Sequence, residues 1–493
     1  MDFSIFKRHT DYCEMYSRKE ADQLVYDYIV EIMPMEDLEY LLNNMCSFPY
    51  NSENVIKFMQ ILDFLNYIDI DLFINNLYHK YYKKNELLDV MCKYPIVTKC
   101  INDIMLDHME ILTFEELKYI TTYIELEHVV LSTSITAEQF DLCNVKNIVY
   151  FSVNDYITDE IISRYNIKTL YLRTNKIITD AGLSHCSDME YIDLGENTNI
   201  TDLSIKNMKK LEVIFMERNT NITDDAIHDK IFLEELYLGA NNIITDDGIK
   251  NLINLEYLFT DCNINITDEG IFNLLKLKHF VIGDSANFTD ASVSRLVNLE
   301  KLTIGNSIYI TDESVCKLKN LKDINIMSGI NVGKSLQYLP NLKNINIGDS
   351  VLVSDDVLLK IKDNIEQLFA GDIVNVPVSD KSVKRMKNLK RLHLRANKNI
   401  NNKSLRKLTE LKYLSLGWND NISNKGLKFL KKLEHLSLDR NRKITNSGIA
   451  HLTNLGILIL GDNTKITNTS NLKVIESELY VIAPTDNMID MLI

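Results

Sequence analysis

The residues that could do covalent chemistry are few and badly spaced. The run Ser328-Gly329-Ile330-Asn331-Val332-Gly333-Lys334-Ser335 comes nearest to a phosphate-binding loop. Such a loop needs Gly, four residues and then Gly-Lys-Ser, so that backbone N–H groups cradle phosphate. Ser328 stands where the first Gly is required, and no nucleotide is expected there. No Gly-x-Ser-x-Gly elbow and no His-Glu-x-x-His pair occurs, and the ten histidines are scattered singly. The eight cysteines, Cys13, Cys46, Cys92, Cys100, Cys143, Cys186, Cys262 and Cys316, contain no C-x-x-C pair, which removes zinc-ligand spacing and leaves reduced thiols. Acid pairs such as Asp224-Asp225 and Asp355-Asp356 precede short helical patterns, where capping accounts for them. The chain therefore reads as a binding protein with no catalytic residue, no metal and no cofactor, and not as an enzyme.

The totals narrow what it could bind. Sixty-nine acidic residues against 54 basic ones give a net charge of -15, which repels phosphate backbones and anionic lipid. Neither nucleic acid nor a membrane is an expected partner. The N-terminal MDFSIFKRHTDYCEMY lacks an apolar signal segment, and no 18 apolar residues run together, which predicts an intracellular, cytoplasmic location. The sequons at Asn199, Asn221, Asn265, Asn287 and Asn421 then read as by-products of an internal repeat. Asn, Ile, Lys, Asp and Tyr are abundant, a bias that reads as AT-rich coding without a mechanism.

At 493 residues the chain exceeds one compact core, and self-similarity decides how it is divided. The phrase I-T-D-x-G-I puts Asp at 180, 202, 224, 246, 268, 290 and 312, and the same position recurs as Asp380, Asn402, Asn424, Asn446 and Asn468, in steps of 22. Counted from that Asp, apolar residues fall at +3, +6, +9, +12, +14 and +20, as in Ile205, Met208, Leu211, Ile214, Met216 and Ile222. The first three spacings suit a short helical turn, and the alternation at +12 and +14 suits a short strand. Thr-Asp before the helical part supplies capping oxygens. Gly at +2, as in Gly182, Gly248, Gly270, Gly426 and Gly448, eases packing where the chain turns. At +17 stands Asn, as Asn197, Asn219, Asn241, Asn263, Asn397, Asn419, Asn441 and Asn463, with Asn175 one place early. A buried polar column of this kind is expected to satisfy backbone groups of neighbouring coils. The register loosens between Phe288 and Ile373, where Ser285, Ser307, Gly329 and Ser350 hold the Asn position and repeat lengths change at Gly333 and Asp355. The segment from Asn364 to Pro377 is the most irregular, an insertion that could lie on the binding side.

The pattern L-x-x-L-x-L-x-x-N-x-x-I-T-D resembles the leucine-rich-repeat family over about 340 of the 493 residues. The resemblance implies an α/β solenoid with short parallel strands on a concave face and short helices or turns on a convex face. About fourteen repeats of 22 residues would fill 135–470, after a transition or degenerate first repeat at 111–134. A last strand at Leu479-Tyr480-Val481-Ile482 and a cap from Asn487 to Ile493 would close the C-terminal segment, 471–493. The I-T-D phrase is most similar to the repeats of F-box-type substrate receptors, which carry Cys where this chain has Asn. Residues 1–110 show helical periodicity, a small all-helical domain. Within them Asn51 to Tyr82 resembles the C-terminal helices of BTB/POZ and Skp-type cullin adaptors, on Phe64, Leu65, Ile68, Asp69, Ile70, Leu72 and Leu77. That likeness implies a cullin-type ligase component as partner of 1–110; a generic helical cap is the alternative.

Residues flanking the strand core, at +11, +13, +15 and +16, have no packing duty and would face a partner. In the earlier repeats they are Tyr191, Asp193, Glu196, Phe215, Glu217, Arg218, Glu235, Tyr237, Tyr257, Phe259 and Asp261. In the later ones they are Arg391, His393, Arg395, Tyr413, Trp418, His435, Asp439 and Arg440. Aromatics and arginines are the usual anchors of interfaces, so a groove acidic and aromatic at one end, basic and aromatic at the other, is expected to hold a protein or peptide. The functions implied are a substrate-recruiting receptor of a ubiquitin-type ligase or a scaffold with no such link.

Overall fold

The computed structural model describes residues 111–475, apart from 124, 196, 218, 262, 284–286, 306, 328–330, 349, 372–377 and 468–472. The N-terminal helices, the stretch 51–82, and the expected last strand and cap lie outside the described residues. The chain divides into two compact units, Met1–Asn199 and Ile200–Ile493.

Each coil gives one short strand because only two of its residues, at +12 and +14, are apolar and alternate. In the first unit the strands are β1 (Ile111–Leu112), β2 (His128–Leu131), β3 (Tyr150–Ser152), β4 (Thr169–Tyr171) and β5 (Tyr191–Asp193), each parallel to the next. In the second they are β6 (Val213–Phe215), β7 (Glu235–Tyr237), β8 (Tyr257–Phe259), β9 (His279–Gly283), β10 (Lys301–Ile304), β11 (Asp323–Asn325), β12 (Asn344–Asn346), β13 (Gln367–Phe369), β14 (Arg391–His393), β15 (Tyr413–Ser415), β16 (His435–Ser437), β17 (Ile457–Ile459) and β18 (Lys473–Ile475). Again each pairs in parallel with the next. Parallel neighbours require a crossover, and here most crossovers hold a single helical turn of four residues, such as Asp246–Ile249. The apolar register predicted from the period is buried throughout: Ile205, Met208, Leu211, Ile214, Met216 and Ile222 are all within 1% of full burial. Each such side chain contributes about 1.5–3 kcal/mol by leaving water.

Polar side chains then tie coil to coil. Asn175 Nδ2 donates to the carbonyls of Asn154 and Ile157 at 2.7 and 2.8 Å, and its Oδ1 accepts from the N–H groups of Ile177 and Ile178. The same arrangement recurs to Asn463, which donates to Asn441 at 2.8 Å. Where serine replaces asparagine the bond survives, Ser350 Oγ donating to the Val332 carbonyl at 2.5 Å. The asparagine column is thus the backbone-satisfying ladder that its place among buried residues requires.

Two expectations need correction. Thr of the I-T-D phrase does cap its own turn, as Thr245 accepts from the Asp247 N–H, but Asp reaches forward into the next coil. Asp246 Oδ1 accepts from the Thr267 N–H at 2.7 Å and its Oδ2 from the Thr267 hydroxyl at 2.6 Å. Asp202, Asp224, Asp268 and Asp290 do the same to Thr223, Thr245, Thr289 and Thr311. Where Gly stands at +2 the carboxylate packs directly against it: a Cβ on Gly270 would lie 2.4 Å from Asp246 Oδ1, and one on Gly248 2.3 Å from Asp224 Oδ1. Of the coils without that glycine, one holds the buried Ala226 with both Asp202 bonds to Thr223 intact, and others use serine, Ser382 and Ser404 donating to Asp355 and Asp380 at 2.5 Å.

The asparagine bias also has a mechanism after all. Asn at +8 donates to the carbonyl one place earlier in the preceding coil, as Asn254 to Ile231 at 2.7 Å and Asn320 to Val297 at 3.1 Å. The sequon residues Asn199, Asn265, Asn287 and Asn421 donate likewise, to Lys176, Asn242, Ile264 and Lys398. From Glu256 to Lys322 the charges at +10 alternate, so that Lys278 pairs with Glu256 and Lys322 with Glu300, each at 2.6 Å. These exposed pairs contribute about 0.2–1 kcal/mol apiece.

The loosened middle keeps its strands but changes the length between them. Register partners lie 21 residues apart at Asp323 and Asn344, 23 at Asn344 and Gln367, and 24 at Gln367 and Arg391. Of the irregular segment, Asn364 to Gly371 forms an ordinary coil with β13, and 372–377 lies outside the described residues.

Candidate partner-binding face

The strand residues at +11 and +13 point away from the core, and in the first unit they build an aromatic column. Tyr150, Tyr171 and Tyr191 pack ring on ring, with centroids 5.3 and 4.7 Å apart. Asp193 beside them accepts from the Gly195 N–H at 2.8 Å, and burial holds its carboxyl above the usual carboxylate range.

In the second unit Phe215 stacks on Tyr237 at 3.6 Å, and Tyr237 on Tyr257 at 4.8 Å, with Phe259 6.4 Å from Tyr237. All four rings are half-buried, with Tyr237 stacked between Phe215 and Tyr257. Glu235 accepts from the Tyr237 hydroxyl at 2.8 Å, and Glu217 and Asp261 lie on the loops that follow their strands. Burial, and then the charges of Glu235 and Glu217, push the Tyr257 phenol up to about 12, a sign of negative potential over β6 to β8.

The later strands carry the opposite sign. His435 packs against Tyr413 at 6.2 Å, and its pKa is lowered by burial and by the guanidinium of Arg391, against the opposing pull of Glu434. His393 stacks on Phe369 at 5.8 Å. Trp418 is 49% exposed, and the Arg440 guanidinium lies 4.3 Å over its ring while bonding Asp462 at 2.9 Å. Both residues, like Ala396 one coil before Trp418, have left-handed backbones, with φ of 56° and 54°, one place after the position where other coils set the left-handed Gly195, Gly239, Gly283 and Gly461. A bulky residue there costs about 1–2 kcal/mol, and the fold keeps two side by side. Arg395 lies one coil before Trp418, its stem about where a Cβ on Gly417 would point.

The structure thus sets Phe215, Glu217, Tyr237, Tyr257, Phe259 and Asp261 along one stretch of strands, and Arg391, His393, Arg395, Tyr413, Trp418, His435 and Arg440 along another. Tyr191 and Asp193 belong to the first unit. Glu196 and Arg218 lie outside the described residues. Sequence reading passed over Tyr150, Tyr171 and Phe369. Tyr150 sits in a degenerate coil marked only by Ile135-Thr136, and Tyr171 follows Ile157-Thr158-Asp159, with Leu170 and Leu172 around it showing the strand alternation.

The run that comes nearest to a nucleotide-binding loop is occupied from within the chain. The N–H groups of Gly333, Lys334 and Ser335 do point at one anion, but it is the carboxylate of Asp312, at 2.8, 3.1 and 2.7 Å. The chain itself fills the cradle that the nucleotide motif would need. Burial pushes the Cys143 and Cys186 thiols up to about 11, away from nucleophilic thiolates. No cluster of metal-ligating side chains occurs among the described residues. No helix among them is long and apolar enough to cross a membrane.

Parallel single-turn coils with a strand on one side, an asparagine column and a 22-residue period define a leucine-rich-repeat solenoid fold. The Leucine Rich repeat family model matches residues 230–252 and 407–431. No curated protein matches the chain. Among solved structures it is similar to an internalin (inlF) of Listeria monocytogenes, at 23% identity and TM-score 0.41, covering 65% of this chain and 89% of that one. It is similar to a leucine-rich-repeat protein of Leptospira interrogans at 20% identity and TM-score 0.46, covering 70% and 93%. A third likeness is to Toll in the Drosophila Toll–Spatzle complex, at 16% identity and TM-score 0.41, covering 72% and 49%.

Proposed function

We propose that the strand-lined, concave face binds a protein or peptide partner across several coils. The observation that carries this is the charge separation of a face with no packing duty. Half-exposed aromatics stand among Glu217, Glu235 and Asp261 on the earlier strands, and among Arg391, Arg395 and Arg440 on the later ones. A partner of reversed polarity would meet both ends at once, which fixes its direction as well as its affinity. Trp418 is the anchor of the basic end. It is the chain's one tryptophan and half exposed, and the fold accepts backbone strain to hold it there.

Capture of partners from native extract on immobilised wild-type chain, followed by mass spectrometry, identifies the ligand. Trp418→Ala with Arg395→Ala should weaken that capture by about 2 kcal/mol or more, some thirtyfold. Lys428→Ala, on the helix side, should leave it unchanged. A double variant that captures as well as the wild type would move the site to Tyr237, Tyr257 and Phe259, or off this face.

The ligase-receptor form of the reading rests on the I-T-D resemblance and on residues 51–82. It requires that the full chain pull down a cullin, and that Leu65→Asp with Leu72→Asp abolish this. A chain that binds its partner but no cullin is a scaffold.

A further inference from the structure

On the side opposite the strands, position +7 is polar in most coils of the second unit: Lys209, Lys319, Lys387, Thr409, Lys431 and Thr453. Four consecutive coils break the rule with Ile231, Ile253, Leu275 and Val297, which are 56%, 55%, 44% and 49% exposed. Phe232, beside Ile231, is 56% exposed. Packing within the chain does not ask for them, because the adjoining core positions are filled by Leu252, Leu255, Leu274, Leu277, Leu296 and Leu299, all fully buried. The side-chain bonds from Asn254 to the Ile231 carbonyl and from Asn298 to the Leu275 carbonyl hold successive coils in register at this edge. The result is an apolar row that runs over four consecutive coils. Its exposed area is on the order of 450 Å², the size at which an apolar patch on a soluble protein marks a contact.

We propose that this row is a homotypic interface on which a second copy of the chain packs antiparallel. A two-fold axis between the coils of Ile253 and Leu275 sets Ile253 against the partner's Leu275 and Ile231 against the partner's Val297, so the row complements itself. The same axis sets Asp229 opposite the partner's Arg295, Glu256 opposite the partner's Lys278, and Glu212 opposite the partner's Lys322. Two like-charged meetings, Glu234 with the partner's Glu300 and Lys209 with the partner's Lys319, are fewer. Members of both sets are also engaged within their own chain, Glu256 with Lys278 and Lys322 with Glu300 at 2.6 Å, Lys209 with Asp229 at 3.5 Å, and Lys319 with the Tyr338 carbonyl at 3.0 Å, so Asp229 with the partner's Arg295 is the meeting that the charge exchange tests. Two copies would cover about 900 Å², short of the roughly 1,200–2,000 Å² of stable complexes, which makes the dimer weak and concentration-dependent. The inference does not depend on what the strand face binds.

Sedimentation equilibrium of the full chain between 1 and 200 µM tests it. The wild type should show a monomer–dimer equilibrium with Kd in the micromolar range, and Leu275→Glu or Ile253→Glu should raise that Kd at least tenfold without lowering Tm, since both side chains are exposed. Arg295→Asp should weaken the dimer, and Asp229→Arg combined with Arg295→Asp should restore it, because only an antiparallel two-fold re-pairs the exchanged charges. A wild type that stays monomeric at 200 µM overturns the proposal, and so does a dimer indifferent to Leu275→Glu. Open-ended polymers, or a charge exchange that fails to restore, overturn the two-fold arrangement.

Discussion

Removing the Asp246 carboxylate should show how much of the fold is held between coils instead of within them. Asp246→Ala deletes two bonds to Thr267, one from its N–H and one from its hydroxyl. Each is a bond to a carboxylate acceptor, of the class that contributes about 1.5–3 kcal/mol, and the Thr267 N–H is left without its partner. With partial access of water to this edge, a loss of about 2–4 kcal/mol is expected. Asp246→Asn should cost under about 1 kcal/mol, because the later coils already run this way. There Asn424 Oδ1 accepts from the Thr445 N–H at 3.0 Å while its amide donates to the Thr445 hydroxyl at 2.9 Å. Gly270 supplies a third arm, since its Cβ would stand 2.4 Å from Asp246 Oδ1. Gly270→Ala alone should cost about 1–3 kcal/mol by overpacking. In the Asp246→Ala background the methyl enters vacated space, and the double variant should be at least about 1 kcal/mol more stable than the two losses added. Urea unfolding of the four proteins, followed by circular dichroism, gives the cycle. Additive losses, or Asn as damaging as Ala, would refute the inter-coil role assigned to this carboxylate.

Four further outcomes are expected. Leu255→Ala should destabilise by about 2–5 kcal/mol through lost burial and a cavity, whereas Lys250→Ala, which breaks only a pair with Asp247, should be nearly silent in thermal denaturation. Lys230 occupies the apolar +6 position with its side chain 1% exposed, and Lys230→Met should stabilise by about 1 kcal/mol or more. Burial holds the Lys230 ammonium below its ordinary pKa, so wild-type stability should rise as pH climbs from the folded value towards 10.5, and the Met variant should lack that rise in urea titrations. Asp290 and Asp355 are held below the usual carboxylate range, because bonds from Ser314, Thr311, Ser379 and Ser382 outweigh the raising effect of burial. Their contribution is present above the unfolded value of about 3.9 and should be lost as pH falls through the lower folded values, a loss that Asp290→Asn with Asp355→Asn should flatten. Trp418→Gly and Trp418→Ala should weaken partner capture equally, yet Gly should be the more stable by about 1 kcal/mol, because alanine retains the left-handed strain.

The core was legible because burial follows a period that a single repeat displays, and Ile205, Met208 and Leu211 need no neighbour to be recognised. The +17 asparagines were legible for a related reason: a polar residue fixed inside an apolar register must satisfy something. Asn254, Asn265 and the carboxylate of Asp246 were not, since their partners are carbonyls and N–H groups of another coil, about 22 residues away, and a repeat read by itself shows only a polar residue near a turn. That is why the asparagine excess looked like coding bias and Asp246 looked like a cap. The face was legible as a set of positions with no packing duty. Its strain was hidden, because the left-handed residue shifts from +15, the place of Gly195, Gly239 and Gly461, to +16 at Trp418, and nothing in the repeat marks that shift.

The division of labour within a coil explains why the two surfaces can differ so much along the chain. Side chains at +3, +6, +9, +12, +14 and +20 fill the core, those at 0, +8, +10, +17 and +19 lock each coil to the next, and the left-handed turn constrains +15 and +16, so the fold's requirements are met before +7, +11 and +13 are chosen. Those positions are free to vary, and a run of like residues there reflects no demand of the fold. Phe215, Tyr237 and Tyr257 in successive coils on one side, and Ile231, Ile253, Leu275 and Val297 on the other, are such runs. A random filling of permissive positions would scatter apolar residues among Lys209, Lys319 and Lys387, whereas four in consecutive coils form one continuous strip. What keeps these residues together therefore lies outside the chain's own folding, in whatever each surface touches.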